Sequence, residues 1–346
     1  MNRLCFVHIG LHKTGSTSIQ KMLASREEWL GSLGLYVPKT GRTGSQGHHL
    51  LAWELSRRHG FSGSAQFDAL KRELREAGFP ARVVLSSEDF SSRIHDRKAV
   101  ARLERKVRRL GYEPQIVCYV RPQEAAIQSI YTQRAKTWSI AAGFGEYWPK
   151  SIRSLQFDYH RRFEALLSSE SLPSRFFPFS QTIIKQGLCR HFLSALGVPA
   201  DQLVGFVEPS PSNPTPGPRT MALSLAVARE LARRGLALSK DQREGAASLL
   251  RRMDLDGAGK FNALTPDISE RIRMYFRNSN QRFAARAFGR PWEDLFSSDL
   301  GDPAPVNVFD PTWLGPDERR RFDEQVVSLA DAIAELVQER DAAQVA

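Results

Sequence analysis

The sequence predicts an α/β protein, in which helices flank a parallel sheet and a mostly helical C-terminal region follows. Short apolar runs with the length of buried strands alternate with helical patterns through the first 200 residues or so, as in βαβ units. Beyond residue 220, four long segments carry the period of amphipathic helices instead. The expected strands are residues 4–7, 82–85, 116–120 and 175–179.

The segment after the first strand is the most informative part of the chain. Residues 8–20 read His-Ile-Gly-Leu-His-Lys-Thr-Gly-Ser-Thr-Ser-Ile-Gln and lead into a helix. A glycine-containing loop at a helix N-terminus collects backbone N–H groups and favours negative charge, so a phosphate-binding loop is predicted. Gly10 and Gly15 have P-loop spacing, but a Ser-Thr pair stands where that motif has Lys and Ser/Thr. The lysine of the loop, Lys13, comes before the second glycine.

The early position of Lys13 suits a single phosphate and requires no magnesium. The pattern Lys13-Thr14-Gly15-Ser16-Thr17 resembles the 5′-phosphosulfate loop of sulfotransferases that use 3′-phosphoadenosine 5′-phosphosulfate (PAPS). The resemblance implies a P-loop-like fold with PAPS as co-substrate and no metal. The residues that it implies for binding the nucleotide are His12, Lys13, Thr14, Gly15, Ser16, Thr17 and Ser18. A tight strand-to-helix turn with a solvated lysine is the alternative for this stretch alone.

A second motif follows the third expected strand. Arg121 and Pro122 come at its carboxyl end, and a helix is expected there because proline suits a first helical turn. Ser129 lies eight residues after Arg121, about two turns into that helix. This pair resembles the family's 3′-phosphate site, in which the guanidinium makes a charge-assisted contact with phosphate. Taken singly, Arg121 also fits an ion pair with Glu124, and Ser129 fits an ordinary helix surface.

The two motifs together resemble bacterial PAPS-dependent sulfotransferases of the carbohydrate-modifying kind. The resemblance implies transfer of a sulfuryl group to an acceptor hydroxyl, with a glycan or glycolipid as the preferred acceptor. An aromatic-rich region at 131–148 would stack on a sugar, or pack as core or lid. Two alternatives stay open. One is a P-loop kinase or nucleotidase, whose lysine is missing after Gly15, and the other is a non-catalytic nucleotide- or glycan-binding protein of the same fold.

The reaction needs a base for the acceptor hydroxyl and positive charge on the departing 5′-phosphate. Lys13 is expected to supply the charge. Glu88 is the first candidate for the base, because it follows the second strand and similar family members use a glutamate; a helix cap or salt bridge fits it equally. His48 and His49, which follow a glycine-rich loop, come second, and His12 comes third.

The order of these segments predicts a PAPS-binding core at 1–207, a Pro-rich linker or long loop at 208–218, and a helical region at 219–346 packed on the core. A net charge of +11 favours an anionic ligand. The charges are scattered, as in 102–109, and no nucleic-acid-binding motif is present. Three widely spaced cysteines, no signal peptide and no apolar stretch of ~20 residues predict a cytoplasmic protein without a metal site or membrane span.

Overall fold

The computed structural model of the protein describes residues 3–44, 46–56, 65–210, 215–252, 259–301 and 304–345. Within them, four strands form a parallel sheet in the order β2-β1-β3-β4. They are β1 (Leu4–His8), β2 (Arg82–Ser86), β3 (Glu113–Val120) and β4 (Ser174–Pro178). The predicted α/β class with a parallel sheet is confirmed, and every expected strand is present.

Helices connect the strands and make up most of the remaining chain. In chain order they are α1 (Ser16–Ser25), α2 (Glu27–Ser32), α3 (His49–Glu54), α4 (Ala65–Glu76), α5 (Asp89–Arg93), α6 (Arg97–Arg109), α7 (Gln123–Lys136), α8 (Phe144–Ser151), α9 (Tyr159–Leu167), α10 (Gln181–Gln186), α11 (Leu188–Ala195), α12 (Pro218–Arg233), α13 (Lys240–Arg252), α14 (Pro266–Phe288), α15 (Trp292–Leu295) and α16 (Pro316–Val345). The mostly helical C-terminal region is therefore confirmed. One of the four helical segments expected from the sequence spans residues 240–253, and its last residue lies outside the described residues.

Both faces of the sheet are buried, because helices cover each of them. Alternate side chains along β1 point to opposite faces, so Cys5 and Val7 join one core and Phe6 joins the other. The first core includes side chains of α4, α6 and α9, and the second includes those of α1 and α11. Full burial of one such apolar side chain stabilises the fold by about 1.5–3 kcal/mol. Burial on both faces explains why the strands read as continuous apolar runs.

The chain divides into two compact units. The first contains the sheet and comprises Met1–Gln123, Ser154–Ser212 and Tyr275–Gly301. The second comprises Glu124–Arg153, Asn213–Met274 and Asp302–Ala346.

The second unit has its own helical core. Leu223 and Val227 of α12 pack there with Phe322 and Ile333 of α16. Val326 and Leu329 of α16 also pack in this core, as the 3.6-residue period of an amphipathic helix predicts.

The two units alternate along the chain, whereas the division predicted from the sequence is sequential. The core at 1–207 and the helical region at 219–346 stay predictions about domains. In the predicted linker, residues 208–210 and 215–217 have no regular structure, and residues 211–214 lie outside the described part of the chain. None of the described helices has both the length and the apolarity that crossing a bilayer requires.

Candidate functional site

The candidate site lies in the first unit, at the carboxyl edge of the sheet. β1 has β2 on one side and β3 on the other, so the strand order reverses direction around β1. Open parallel sheets bind ligands in the crevice outside such a reversal. The segments that leave the three strands at this edge are the loop 9–15, residues 87–89 and Arg121.

The loop after β1 is shaped by its own main chain. Its Leu11 carbonyl accepts hydrogen bonds from the Thr14 N–H at 3.3 Å and from Thr14 Oγ1 at 2.8 Å. Thr14 is fully buried, so its hydroxyl stabilises the loop from inside. Lys13 adopts a left-handed backbone with φ 68°. This conformation costs a non-glycine residue about 1–3 kcal/mol and is concentrated at functional sites.

The loop ends at the N-terminus of α1, where Gly15 is the N-cap. Gly15 has φ 76°, and a Cβ there would lie 2.1 Å from Leu188 Cδ2, so both the backbone and the packing require glycine. In the described part of the chain, no backbone carbonyl accepts from the N–H groups of Ser16 and Thr17. N–H groups at this end of a helix attract anions.

The hydroxyl groups predicted to bind the nucleotide differ in exposure. Ser16 is buried, and its Oγ donates to the Leu11 carbonyl at a long 3.4 Å. Thr17 is exposed and Ser18 is half-buried. Thr17 and Ser18 are therefore the more accessible of the three, and Ser16 offers its backbone N–H.

Arg121, which the second motif singled out, contacts the same loop. Its Nη1 donates to the Lys13 carbonyl at 2.9 Å, and its guanidinium lies 5.5 Å from the centre of the Phe179 ring. The Tyr159 hydroxyl donates to the Arg121 carbonyl at 2.9 Å. Glu124, the alternative partner for Arg121, instead forms an ion pair of 2.6 Å with Arg273. Arg121 of the second motif thus contacts the loop of the first motif, 108 residues away in the sequence.

Ser129 belongs to the second unit, where it lies half-buried on α7. Its predicted role at a 3′-phosphate stays a prediction. In the same unit, the rings of Tyr131, Phe144 and Tyr147 are buried, with Tyr131 5.2 Å from Phe144 and 5.3 Å from Tyr147. Of the interpretations open for the aromatic-rich region, these contacts favour core packing.

Glu88 follows β2 directly and is held by a glutamine. Gln20, on the buried face of α1, donates from Nε2 to Glu88 Oε2 at 2.7 Å. Glu88 is half-buried and is the N-cap residue of the short helix α5, but its side chain makes no capping hydrogen bond. The carboxylate is therefore fixed by a side chain of the helix that begins at the loop.

Asp89, the next residue, has separate partners. Its Oδ2 accepts from His49 Nδ1 at 2.9 Å and from Trp53 Nε1 at 2.7 Å. Partial burial raises the pKa of Asp89, but these hydrogen bonds outweigh it and hold the pKa below its usual value. An ionised Asp89 can only accept, so the Nδ1 atom of His49 carries the proton of this hydrogen bond. Ser87 Oγ also lies 2.9 Å from His49 Nδ1.

The other two candidate histidines are in contrasting settings. His48 is buried, with Nε2 2.9 Å from the Pro38 carbonyl and Nδ1 accepting from the Ser86 N–H at 3.1 Å. Burial lowers the pKa of His48 to about 4, so it is neutral, and the main chain occupies both ring nitrogens. His12 is exposed at the surface; desolvation lowers its pKa, and the negative charge of Glu88 opposes that shift.

Several residues of this site carry no sequence motif. Ser91 Oγ lies 3.2 Å from the Gly10 carbonyl and 2.8 Å from the Glu88 carbonyl, and it accepts from Arg162 Nη2 at 2.9 Å. Ser91 thus connects the loop with the segment after β2, and Gln20 connects the same two parts. The sequence signal that could have identified Gln20 is its position, as a polar residue, on the buried side of an amphipathic helix.

The arrangement combines a loop that ends at a helix N-terminus, a nearby arginine and an oriented carboxylate at one edge. It is suited to binding a phosphate-containing ligand and to accepting a proton beside it. Among the described residues, no group of three or more His, Cys, Asp or Glu side chains is arranged to hold a metal ion.

No protein-family model matches this chain, and no curated protein matches it significantly. Among solved structures, the chain is similar to a sulfotransferase from Alicyclobacillus acidocaldarius, with 14% identity and a TM-score of 0.47. The similarity covers 85% of this chain and 99% of that one. At this identity and TM-score, the likeness assigns neither an activity nor a substrate.

Proposed function

We propose that the protein is a sulfotransferase that moves a sulfuryl group from PAPS to an acceptor hydroxyl. The observation that carries the proposal is the Lys13 loop, with its single early lysine, in direct contact with Arg121. Two cationic side chains at a helix N-terminus suit a nucleotide with separate phosphate groups at its 5′ and 3′ positions.

In this proposal, the loop binds the 5′-phosphosulfate. The backbone N–H groups of Ser16 and Thr17 donate to the phosphate oxygens, and Lys13 stabilises the negative charge that grows on the phosphate as the sulfuryl group departs. Arg121 binds the 3′-phosphate, and the part of Ser129 in that site rests on the sequence motif alone. The proposal requires no magnesium, because the lysine of the loop, Lys13, comes before the second glycine and there suits a single phosphate.

Glu88 is the proposed base. The acceptor oxygen attacks sulfur, the bond between sulfur and the bridging 5′-phosphate oxygen breaks, and the acceptor proton passes to the Glu88 carboxylate. The products are a sulfate ester and adenosine 3′,5′-bisphosphate. His49 is the next candidate, because Asp89 orients its ring through Nδ1. His48 ranks below it, since its ring nitrogens bind the main chain.

A glycan or glycolipid hydroxyl is the proposed acceptor, on the resemblance of the motifs alone. The proposed compartment is the cytoplasm, because Cys5, Cys118 and Cys189 are buried free thiols.

Calorimetry with nucleotides tests the proposal. A charge-assisted contact contributes about 1.5–3 kcal/mol, so adenosine 3′,5′-bisphosphate should bind at least about tenfold more tightly than AMP or ATP, without magnesium. Arg121→Ala should remove this preference, whereas Arg97→Ala, at an exposed position on α6, should keep it. Equal affinity for AMP would contradict the nucleotide assignment. Strict dependence on magnesium would favour the kinase or nucleotidase alternative.

A further inference from the structure

Gln20 is a buried amide with a specific partner. Its side chain is 2% exposed, and it is buried in α1 beside Ile19 and Leu23, which pack in the core. Burying an amide without hydrogen bonds costs free energy. Gln20 avoids this cost by donating to Glu88 Oε2 at 2.7 Å. The two residues are 68 positions apart in the sequence, so the contact exists only in the folded protein.

The surroundings leave the Gln20 amide little freedom. A Cβ at Gly47 would lie 3.1 Å from Gln20 Cδ and 2.5 Å from His49 Nε2. The main chain at Gly47 therefore packs against both side chains. Asp89, the other carboxylate of the segment, already accepts from His49 and Trp53. Each of the two adjacent carboxylates thus has its own hydrogen-bond donors, and Gln20 is the donor to Glu88.

We propose that Gln20 is a positioning residue for the Glu88 carboxylate, an inference that rests on the proposed function. The amide occupies Oε2, and no hydrogen bond to Oε1 occurs among the described residues. Gln20 therefore holds the carboxyl plane so that Oε1 is the oxygen that receives the acceptor proton. Because α1 begins at the Lys13 loop, this contact also couples the position of the base to the phosphate-binding loop.

Gln20→Met tests the proposal, because methionine keeps an unbranched side chain of similar size and removes the donor. The expected result is a fall in kcat of about 10- to 100-fold, the effect of losing one hydrogen bond to a charged group. Affinity for adenosine 3′,5′-bisphosphate should stay within twofold. Gln20→Asn, which keeps the amide but shortens its reach, gives a second variant if Gln20→Met folds poorly. Ser25→Ala, at an exposed position of the same helix, is the matched control and should keep wild-type kcat.

A double-mutant cycle separates positioning from general support of the fold. In a Glu88→Gln background, Gln20→Met should cause no further fall in kcat, because its target is already neutral. An equal fall in both backgrounds would overturn the inference, as would wild-type kcat in both Gln20 variants. A wild-type protein that binds the nucleotide but transfers no sulfuryl group would overturn the proposed function, and this inference with it.

Discussion

The Lys13 loop and the segment after β2 lie at the same edge of the sheet, but different kinds of contact hold them in place. The loop is held mostly by local contacts, through the Leu11 carbonyl and the left-handed residues Lys13 and Gly15, and two distant side chains, Arg121 and Ser91, contact its carbonyl groups. The segment at 87–89 is held by side chains that come from elsewhere in the chain.

In the proposed function, this difference separates two tasks. Anion binding uses backbone N–H groups and helix geometry, so it depends on the glycines and on main-chain conformation. Proton acceptance uses one carboxylate, so it depends on the side chains that fix it. Changes to side chains at 87–89 should therefore affect turnover, and changes to the loop backbone should affect binding.

The largest effect is expected from Glu88→Gln, which keeps the shape of the side chain and removes its ability to accept a proton. General-base catalysis commonly contributes ~10²–10⁴-fold, so kcat should fall by that order while nucleotide affinity stays near normal. Glu113→Gln, at an exposed position that starts β3, is the matched control. Intact turnover with a lower melting temperature would make Glu88 structural, and single changes at His49 and His48 would then be the next tests.

Lys13→Ala should lower kcat by roughly 10²–10³-fold, because it removes a preorganised positive group from the leaving phosphate. Ground-state nucleotide binding should weaken far less, since the backbone N–H groups remain. Steady-state kinetics together with calorimetry measure both quantities. Lys21→Ala, at an exposed position of α1, should leave both unchanged. Near-normal turnover of Lys13→Ala would show that Lys13 is a solvated loop residue.

Each region also packs on a buried neutral histidine. Burial lowers the pKa of His8, next to Gly10, to about 3, and that of His48 to about 4. The unfolded chain binds protons at these residues below about pH 6.5, whereas the folded chain does not, so stability must fall as the pH drops from about 6.5 to 4.

Urea unfolding at pH 7 and pH 5 should show a loss of about 2 kcal/mol for each of these histidines. His8→Phe removes one titrating group and should roughly halve the loss. Equal unfolding free energies at the two pH values would contradict the burial of both rings as neutral groups.

The smallest effect concerns the loop backbone. Gly15→Ala should destabilise the protein by about 1–2 kcal/mol from its left-handed φ, with a further cost from the Leu188 contact, and should weaken nucleotide binding. Gly31→Ala, in α2 with no atom within 4 Å of the new Cβ, should be neutral or stabilising by about 0.5–1 kcal/mol. Thermal melting of the two variants measures this difference. Equal melting temperatures would contradict the conclusion that the left-handed backbone and the packing at Gly15 require glycine.

The contrast between the local contacts of the loop and the long-range contacts of residues 87–89 also explains which parts of the structure the sequence predicts well. The loop depends on local chemistry, so its glycines, its lysine and the helix behind it are visible in one stretch of residues. Arg121 is visible because its strand and the following proline mark the sheet edge. The four strands are visible because burial on both faces makes each a short apolar run.

The contacts of Glu88 and Asp89 are not visible in the sequence. They join residues 36 to 68 positions apart, and nothing local to Gln20 or Trp53 indicates a partner. The same limit applies to His48 and His49. Adjacent histidines read alike in sequence, but the fold turns one toward main-chain groups and the other toward Asp89.

The proposed transfer of a sulfuryl group can be tested directly by following label from radiolabelled PAPS to a panel of glycan and glycolipid acceptors. We expect the wild-type protein, without magnesium, to label at least one acceptor on a hydroxyl and to release an equal amount of adenosine 3′,5′-bisphosphate. Glu88→Gln should bind the nucleotide and transfer almost no label. A wild-type protein that binds PAPS but labels no acceptor, or that hydrolyses ATP with magnesium instead, would contradict it.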